Sequence, residues 1–343
     1  VEGSWEAVLP PLFAEAGLEV DGRMRVVPLT GGVSSDIVLI TLADGRQYCA
    51  KRALPKLKVK SDWEAPLERN HFEIAWLRRA GEIVPGAAPE VLGEDAAHGI
   101  ALLQYLPPEH YRLWKTELLA GRADPKVPVA VANALGSIHA ATLNDPKTAS
   151  AFPTDALFDA LRLDPYLRTL AARHPSLAEP ILACLETTAA TRIALVHGDV
   201  SPKNILVNIA DGHPVLLDAE CAWYGDPAFD AAFCLNHLVL KAVHLPTIRA
   251  ELLREARAFF RAWIEHFPVP MRRALEARTA VLLPCLLLAR VDGKSPVEYL
   301  DGTEQQRVRD IAMPLIRQAP STLDVVVDRV ADRLTAEPNG EAR

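Results

Sequence analysis

Residues 194–230 read ALVHGDVSPKNILVNIADGHPVLLDAECAWYGDPAFD, and the rest of the chain is read outward from them. An apolar run reaches His197-Gly198-Asp199, a polar loop ends at Asn204, and Ile205-Leu206-Val207 resumes the apolar pattern. The turn Asp211-Gly212 leads to Pro214-Val215-Leu216-Leu217 and two carboxylates, Asp218 and Glu220. Strand, polar loop, strand, turn, strand and acidic tip is the expected order. Such a hairpin gathers Asp199, Asn204, Asp218 and Glu220 at one end.

That set suits phosphoryl transfer from a nucleotide. One carboxylate takes the proton of an attacking hydroxyl, while an amide oxygen and a second carboxylate hold Mg²⁺ against phosphate oxygens. H-G-D-x-x-x-x-N, an acidic tip and G-D-P-x-x-D, here completed by Gly225-Asp226-Pro227 and Asp230, resemble the catalytic region of the aminoglycoside phosphotransferase and choline kinase superfamily. The resemblance covers roughly residues 20–300. It implies an α+β, bilobal protein-kinase-like fold with a small β-rich N-terminal lobe (residues 1–105) and a larger, mainly helical C-terminal lobe (residues 106–343). ATP or GTP with Mg²⁺ is the expected cofactor pair. Asp199 is then the catalytic base, Asn204 and Asp218 the metal ligands, and Glu220 a contact to a second Mg²⁺ or its water shell. His197 braces the loop, and Asp230 accepts its backbone N–H groups. Lys203 either screens the transferred phosphate or faces solvent.

Size and charge agree with this class. The 343 residues are enough for two cores. A net charge of −7 argues against a general nucleic-acid binder. The five cysteines form no C-x-x-C pair, which favours reduced thiols over a disulfide frame. The N-terminus has no basic, apolar leader, and the longest apolar run, near residues 280–289, is too short to cross a bilayer, so a cytoplasmic protein is expected.

Upstream, an amphipathic helix is expected within residues 1–20, followed by strands at 25–29, 37–42 and 47–52, the last two joined by a type I′ turn at Asp44-Gly45. Gly31, Gly32, Ser34 and Ser35 between strands offer donors to a phosphate. Lys51 ends an otherwise apolar strand and can pair with nucleotide phosphates if a carboxylate holds it. Of Glu68 and Glu73 on a helix expected over 64–80, Glu73 is preferred, because it precedes the apolar Trp76-Leu77. Five cations within residues 51–60 read as a solvated loop or a basic flap. Ala53-Leu54-Pro55 before them, with Trp114-Lys115 and Leu118-Leu119-Ala120-Gly121, looks like methylthioribose kinases. A further hairpin turns at His98-Gly99, and Gln104, Tyr105 and Leu106 form the expected hinge facing the adenine edge.

Helices are expected over 127–143, 155–173 and 177–191. His139 falls in an L-G-x-x-H pattern and reads as a buried structural histidine. From Asp230 to Arg343 there are 15 acidic and 16 basic side chains. An acidic cleft for a polycationic acceptor is therefore not indicated, and a neutral or anionic hydroxyl compound is favoured. Arg290 and Lys294 either meet an anionic group on the acceptor or belong to a helix C-terminus capped by Gly293, and Trp223 and Tyr224 either line the cleft or pack as core. Gly293-Lys294-Ser295 ends like a Walker loop, but Leu288 stands where its first glycine is required. The expected function is a small-molecule kinase acting on a sugar or hydroxy acid, possibilities including a methylthioribose-like sugar. An aminoglycoside phosphotransferase and a nucleotide-binding pseudokinase are the alternatives.

Overall fold

The computed structural model describes residues 4–29, 35–54 and 68–335. Five antiparallel strands, β1 (Arg25–Leu29), β2 (Ser35–Thr41), β3 (Gln47–Ala53), β4 (Val91–Asp95) and β5 (Ile100–Gln104), form one sheet in the order β1-β2-β3-β5-β4. Side chains alternate between its faces. Val38, Ile40, Tyr48, Ala50, Ile100 and Leu102 close on Leu9, Leu12 and Phe13 of the first helix, α1 (Trp5–Glu15). Ala101 and Leu103 take the other face and join Ile74, Trp76 and Leu77 of α2 (Arg69–Ile83) in the main core. Lys51 pairs with Ile37 and Ala101 in the ladder, which puts its side chain on the α2 face.

The remainder is mainly helical. Helix Pro227–His244 is buried from Pro227 to Val243 and is flanked by helices Arg249–Ile264 and Val269–Asp292. Its start follows from the sequence: Asp226 caps it by accepting from the Ala228 N–H, and Pro227 occupies the first turn, where no N–H is needed. Arg278 holds that capping carboxylate through two contacts, of 2.6 and 3.0 Å. No single helix among the described residues is long and apolar enough to cross a membrane.

Two small ladders complete the strands. β6 (Tyr111–Leu113), β8 (Ile205–Asn208) and β9 (Pro214–Leu216) form one, in the order β6-β8-β9, and β7 (Ala194–Val196) pairs with β10 (Trp223–Gly225) in the other. Because Ile205 lies opposite Leu216, Asn204 and the Leu217-Asp218 pair fall together just beyond the ladder. The Leu217 N–H donates to the Asn204 carbonyl at 2.8 Å.

The α+β class expected from the sequence is the one observed, with local differences. The Asp44-Gly45 hairpin is not type I′: only Gly45 has a positive φ, of 90°. Leu42 accepts from Gly45 N–H and donates to the Arg46 carbonyl, which makes a three-residue loop ending in a left-handed glycine. Helix α2 is described over Arg69–Ile83, and residues 64–67 of the expected helix lie outside the described residues. The helix expected over 155–173 is α-helical only at its ends, and Asp159–Arg168 winds as a π-helix containing Pro165. Gly31, Gly32, Ser34 and the basic residues 56–60 lie outside the described residues.

Candidate active site

The loop after β7 is held by one carboxylate. Asp230, on the first turn of its buried helix, accepts from the N–H of His197 (2.7 Å) and of Gly198 (2.8 Å). A third donor is His139, whose Nε2 lies 3.2 Å from Asp230. The tautomer follows from chemistry: Trp263 Nε1–H, which can only donate, reaches His139 Nδ1 at 3.0 Å, so the imidazole proton is on Nε2. Gly198 has φ +79° and a Cβ there would stand 2.5 Å from the Cys221 carbonyl, so only glycine fits.

His197 then joins the two acidic tips. Its Nδ1 accepts from the Asp199 N–H at 3.1 Å, which leaves Nε2–H to donate to the Leu217 carbonyl, also at 3.1 Å. Burial pushes the imidazole pKa below its ordinary value despite the carboxylates of Asp230, Asp199 and Asp218. The ring is therefore a neutral bridge, packed edge-on against Trp76 with ring centroids 4.7 Å apart. Asp218, the next residue, has φ 65°, a strained left-handed conformation for a non-glycine residue.

Charges at the tips are matched. Lys51 Nζ lies 2.7 Å from Glu73 and 2.5 Å from Asp218. Burial alone would lower the pKa of this ammonium, but Asp218 and Glu73 hold it above its ordinary value. Asp218 is displaced well below the carboxylate range: burial opposes this, and Lys51 and Lys203 outweigh it. Glu73, the more deeply buried partner, is pushed up to about 7 by desolvation. Asp199 Oδ2 meets Arg162 Nη2 at 3.0 Å and Lys203 Nζ at 3.1 Å. Burial raises the Asp199 pKa and these cations lower it further, leaving it below its ordinary value. Asp199 Oδ1 remains without a protein partner among the described residues. Glu220 accepts from Arg69 Nε at 2.7 Å, committing one of its oxygens to α2.

Asn204 Nδ2 donates to the Asp199 carbonyl at 3.1 Å, and its Oδ1 has no partner among the described residues. That oxygen and the Asp218 carboxylate lie at the same end of the β8–β9 pair. They are the hard oxygen donors that Mg²⁺ takes alongside phosphate oxygens, so the residues present fit that ion. Ser35 begins β2 with its Oγ buried and unpaired among the described residues. Gln104 is exposed at the end of β5, and Tyr105 and Leu106 are half-buried with no main-chain hydrogen bond among the described residues.

Three expected acceptor contacts are elsewhere. Trp223 and Tyr224 are core residues, not cleft lining, because both faces of the two-stranded β7–β10 ladder are covered. Trp223 stacks on Phe158 at 4.2 Å and donates to Asp155, while the Tyr224 hydroxyl donates to the Ile193 carbonyl. The Trp223 ring also covers Gly225, where a Cβ would come within 1.8 Å of it. Lys294 forms an exposed pair with Asp164. Arg290, by contrast, is buried and bonded to Tyr166 and Ser295. Sequence reasoning missed Arg162 and Arg69. Neither sits in a motif, and the only signal for Arg162 was a cation within the apolar run Leu161-Arg162-Leu163.

The profile of the phosphotransferase enzyme family matches residues 25–263. A methylthioribose kinase of Yersinia enterocolitica is 28% identical over 222 residues, covering 57% of this chain and 55% of the relative. One of Pectobacterium atrosepticum is 26% identical over 275 residues, covering 66% of each. This chain thus spans little more than half the length of the first of these relatives. Among solved structures, an amicoumacin kinase in complex with AMP-PNP, Ca²⁺ and Ami superposes with a TM-score of 0.54 at 13% identity, covering 92% of this chain and 95% of that one. An ethanolamine kinase of Plasmodium vivax gives 0.52 at 13% identity, covering 91% and 81%. At these identities the likeness is one of fold.

Two predictions follow from the hydrogen bonds and charges. Asp230→Asn turns an amide NH₂ toward donors and should cost about 1.5–3 kcal/mol of stability in urea unfolding. Glu73 titrates near 7 in the folded chain against an ordinary 4.5, so the folded state binds more protons in that window, and its contribution to stability falls as pH rises from about 4.5 to 7. Burial lowers the pKa of His197 and so gives the opposite slope below its ordinary 6.5; the informative quantity is therefore the difference between variants. The Tm of wild type relative to Glu73→Gln should drop between pH 5 and pH 8.

Proposed function

Since the chain belongs to the phosphotransferase enzyme family, we propose that it is an ATP-dependent small-molecule kinase transferring the γ-phosphate to a hydroxyl of a small metabolite. The carrying observation is that Lys51, Asp199, Asn204 and Asp218, drawn from separate elements, converge on one site. The methylthioribose kinases among its relatives favour a sugar acceptor, with a hydroxy acid as the other candidate.

In this reading the lobe boundary falls near Leu106, and the unbonded main chain of Tyr105 and Leu106 meets the adenine edge. Lys51, held by Glu73, takes the nucleotide phosphates. Asn204 Oδ1 and Asp218 would hold Mg²⁺, and Glu220 would contact a second ion or its water shell. The bound metal supplies charge neutralisation at the phosphates. Asp199 presents Oδ1 to the acceptor hydroxyl, because its Oδ2 is taken by Arg162 and Lys203. The hydroxyl oxygen forms the new O–P bond, the bridging bond between the β and γ phosphates breaks, and the proton passes to Asp199 Oδ1. With its pKa held below the ordinary range, Asp199 is a weak base. Its work is to aim the hydroxyl and receive the proton late, as charge develops. Lys203 adds positive charge beside the transferred group.

A coupled ADP-release screen over sugars, hydroxy acids, amino alcohols and aminoglycosides tests this. Asp199→Asn should lower kcat by about 10²–10⁴ while nucleotide affinity stays within a few-fold. Undiminished turnover in Asp199→Asn would remove the base assignment, and absence of Mg²⁺-dependent ADP release in wild type would leave a nucleotide-binding pseudokinase.

A further inference from the structure

We propose that the acceptor is an anion: a hydroxyl compound carrying a carboxylate or phosphate whose charge is received by Lys241, His237 and Arg290. The proposal rests on the phosphotransfer reading above and names the substrate class of that site.

Phe233, His237 and Lys241 recur every fourth residue and so share one face of helix Pro227–His244. Lys241 is 1% exposed, yet its Nζ has no hydrogen bond or ion pair among the described residues and sits 5.1 Å from the centre of the Tyr299 ring. His237 is 6% exposed, with Nε2 buried and unpartnered. Arg290, from helix Val269–Asp292, bonds the Tyr166 hydroxyl at 3.0 Å and Ser295 Oγ at 2.9 Å through Nη1, while its Nε is buried without a partner. The Tyr299 hydroxyl is likewise buried and unpaired.

This cluster adjoins the proposed base. Arg162, 3.0 Å from Asp199, has its guanidinium 5.6 Å from the Phe233 ring and 5.9 Å from that of Tyr166. The His237 ring is 5.4 Å from Phe233, and the Arg290 guanidinium 5.8 Å from Tyr166. Arg162, and behind it the rings of Phe233 and Tyr166, lie between Asp199 and this cluster.

The local charge is one-sided. Burial comes first in lowering the His237 pKa, and the charges that follow it, from Arg290, Lys241, Lys203 and Lys115, are positive. Lys241 is lowered to about 7 by burial and by Lys115 and Arg290, with Glu298 and Cys234 opposing. Glu298 is itself paired with Lys115. A buried cation without a counter-charge costs several kcal/mol, so the cluster does not serve stability. A cationic amino alcohol would meet like charge here, and a neutral sugar would leave Lys241 unpaired. One turn of helix between His237 and Lys241 rises about 6 Å, a span that a carboxylate or phosphate hydrogen-bonded at each side can bridge.

The test uses the full chain with Mg²⁺-ATP and matched acceptors: ribose against ribose 5-phosphate, and glycerol against glycerate and glycerol 3-phosphate. The charged member should be preferred at least tenfold in kcat/KM, with the carboxylate and phosphate arms distinguishing the group. Lys241→Met should raise that acceptor's KM at least tenfold, move the nucleotide KM less than twofold, and raise the Tm of the ligand-free protein. If no acceptor in the panel turns over, inorganic phosphate and acetate, added over saturating Mg²⁺-ADP, decide by thermal shift. A rise in Tm in wild type that is lost in Lys241→Met supports the anion site, whereas no rise, or an equal rise in both, overturns it. Preference for the neutral acceptors, or an unchanged acceptor KM in Lys241→Met, also overturns it. Failure of the phosphotransfer reading looks different: ADP release independent of Asp199, with the anion-dependent shift intact.

Discussion

The site depends on a neutral imidazole that both accepts and donates. Asp199 and Asp218 stand at the ends of different two- and three-stranded ladders, and no β-pairing sets their separation. The His197 ring sets it, taking a hydrogen bond from the main chain of one tip and giving one to the residue before the other. A protonated ring would lose its acceptor, so burial, which keeps it neutral, maintains the spacing. Behind the ring, Trp263, His139 and Asp230 continue the chain of bonds to the loop main chain, each donor and acceptor with one possible sense. The loop after β7 is thereby tied to helices far from it in sequence.

On the sheet side the ordering element is strand parity. Lys51 faces α2 because Ala50 and Tyr48 face α1, and a shift of one residue in β3 would move the lysine to the wrong core. Four of the acidic groups at the site are answered by cations: Glu73 and Asp218 by Lys51, Glu220 by Arg69, and Asp199 by Arg162 and by Lys203 of its own loop. With the surrounding side chains so closely buried, these pairings are what allow the carboxylates to exist there.

Much of this was legible beforehand where chemistry ties residue type to fixed spacing. Asp199, Asn204, Asp218 and Asp230 lie in one short stretch, and a polar loop between apolar strands brings such residues together whatever the rest of the chain does. Lys51 and Glu73 were readable from an apolar strand ending in a cation and an acid preceding an apolar helix face. Arg162 and Arg69 were not, because a long-range ion pair leaves no periodic trace. Trp223 and Tyr224 stayed open between cleft and core because an aromatic beside a polar tip reads the same in either place; the stacking on Phe158 decides for the core. Lys294 follows a helix end, and nothing local says that the chain there turns outward to Asp164. The π-helix was equally hidden, since apolar positions at Leu161, Leu163 and Leu167 fit either winding.

That wide winding has an evolutionary consequence. A π-helix carries more residues per turn than an α-helix, so loss of one residue between Asp159 and Arg168 would let the segment relax to ordinary winding. The wide turn absorbs the missing residue, so the flanking helices keep their facing while the side chains inside the turn are redistributed. Arg162 would leave Asp199, or Tyr166 would leave Arg290, with the HGD loop itself untouched. A lineage could thus exchange what it grips without altering how it reacts, by insertion or deletion in a segment that no catalytic motif covers.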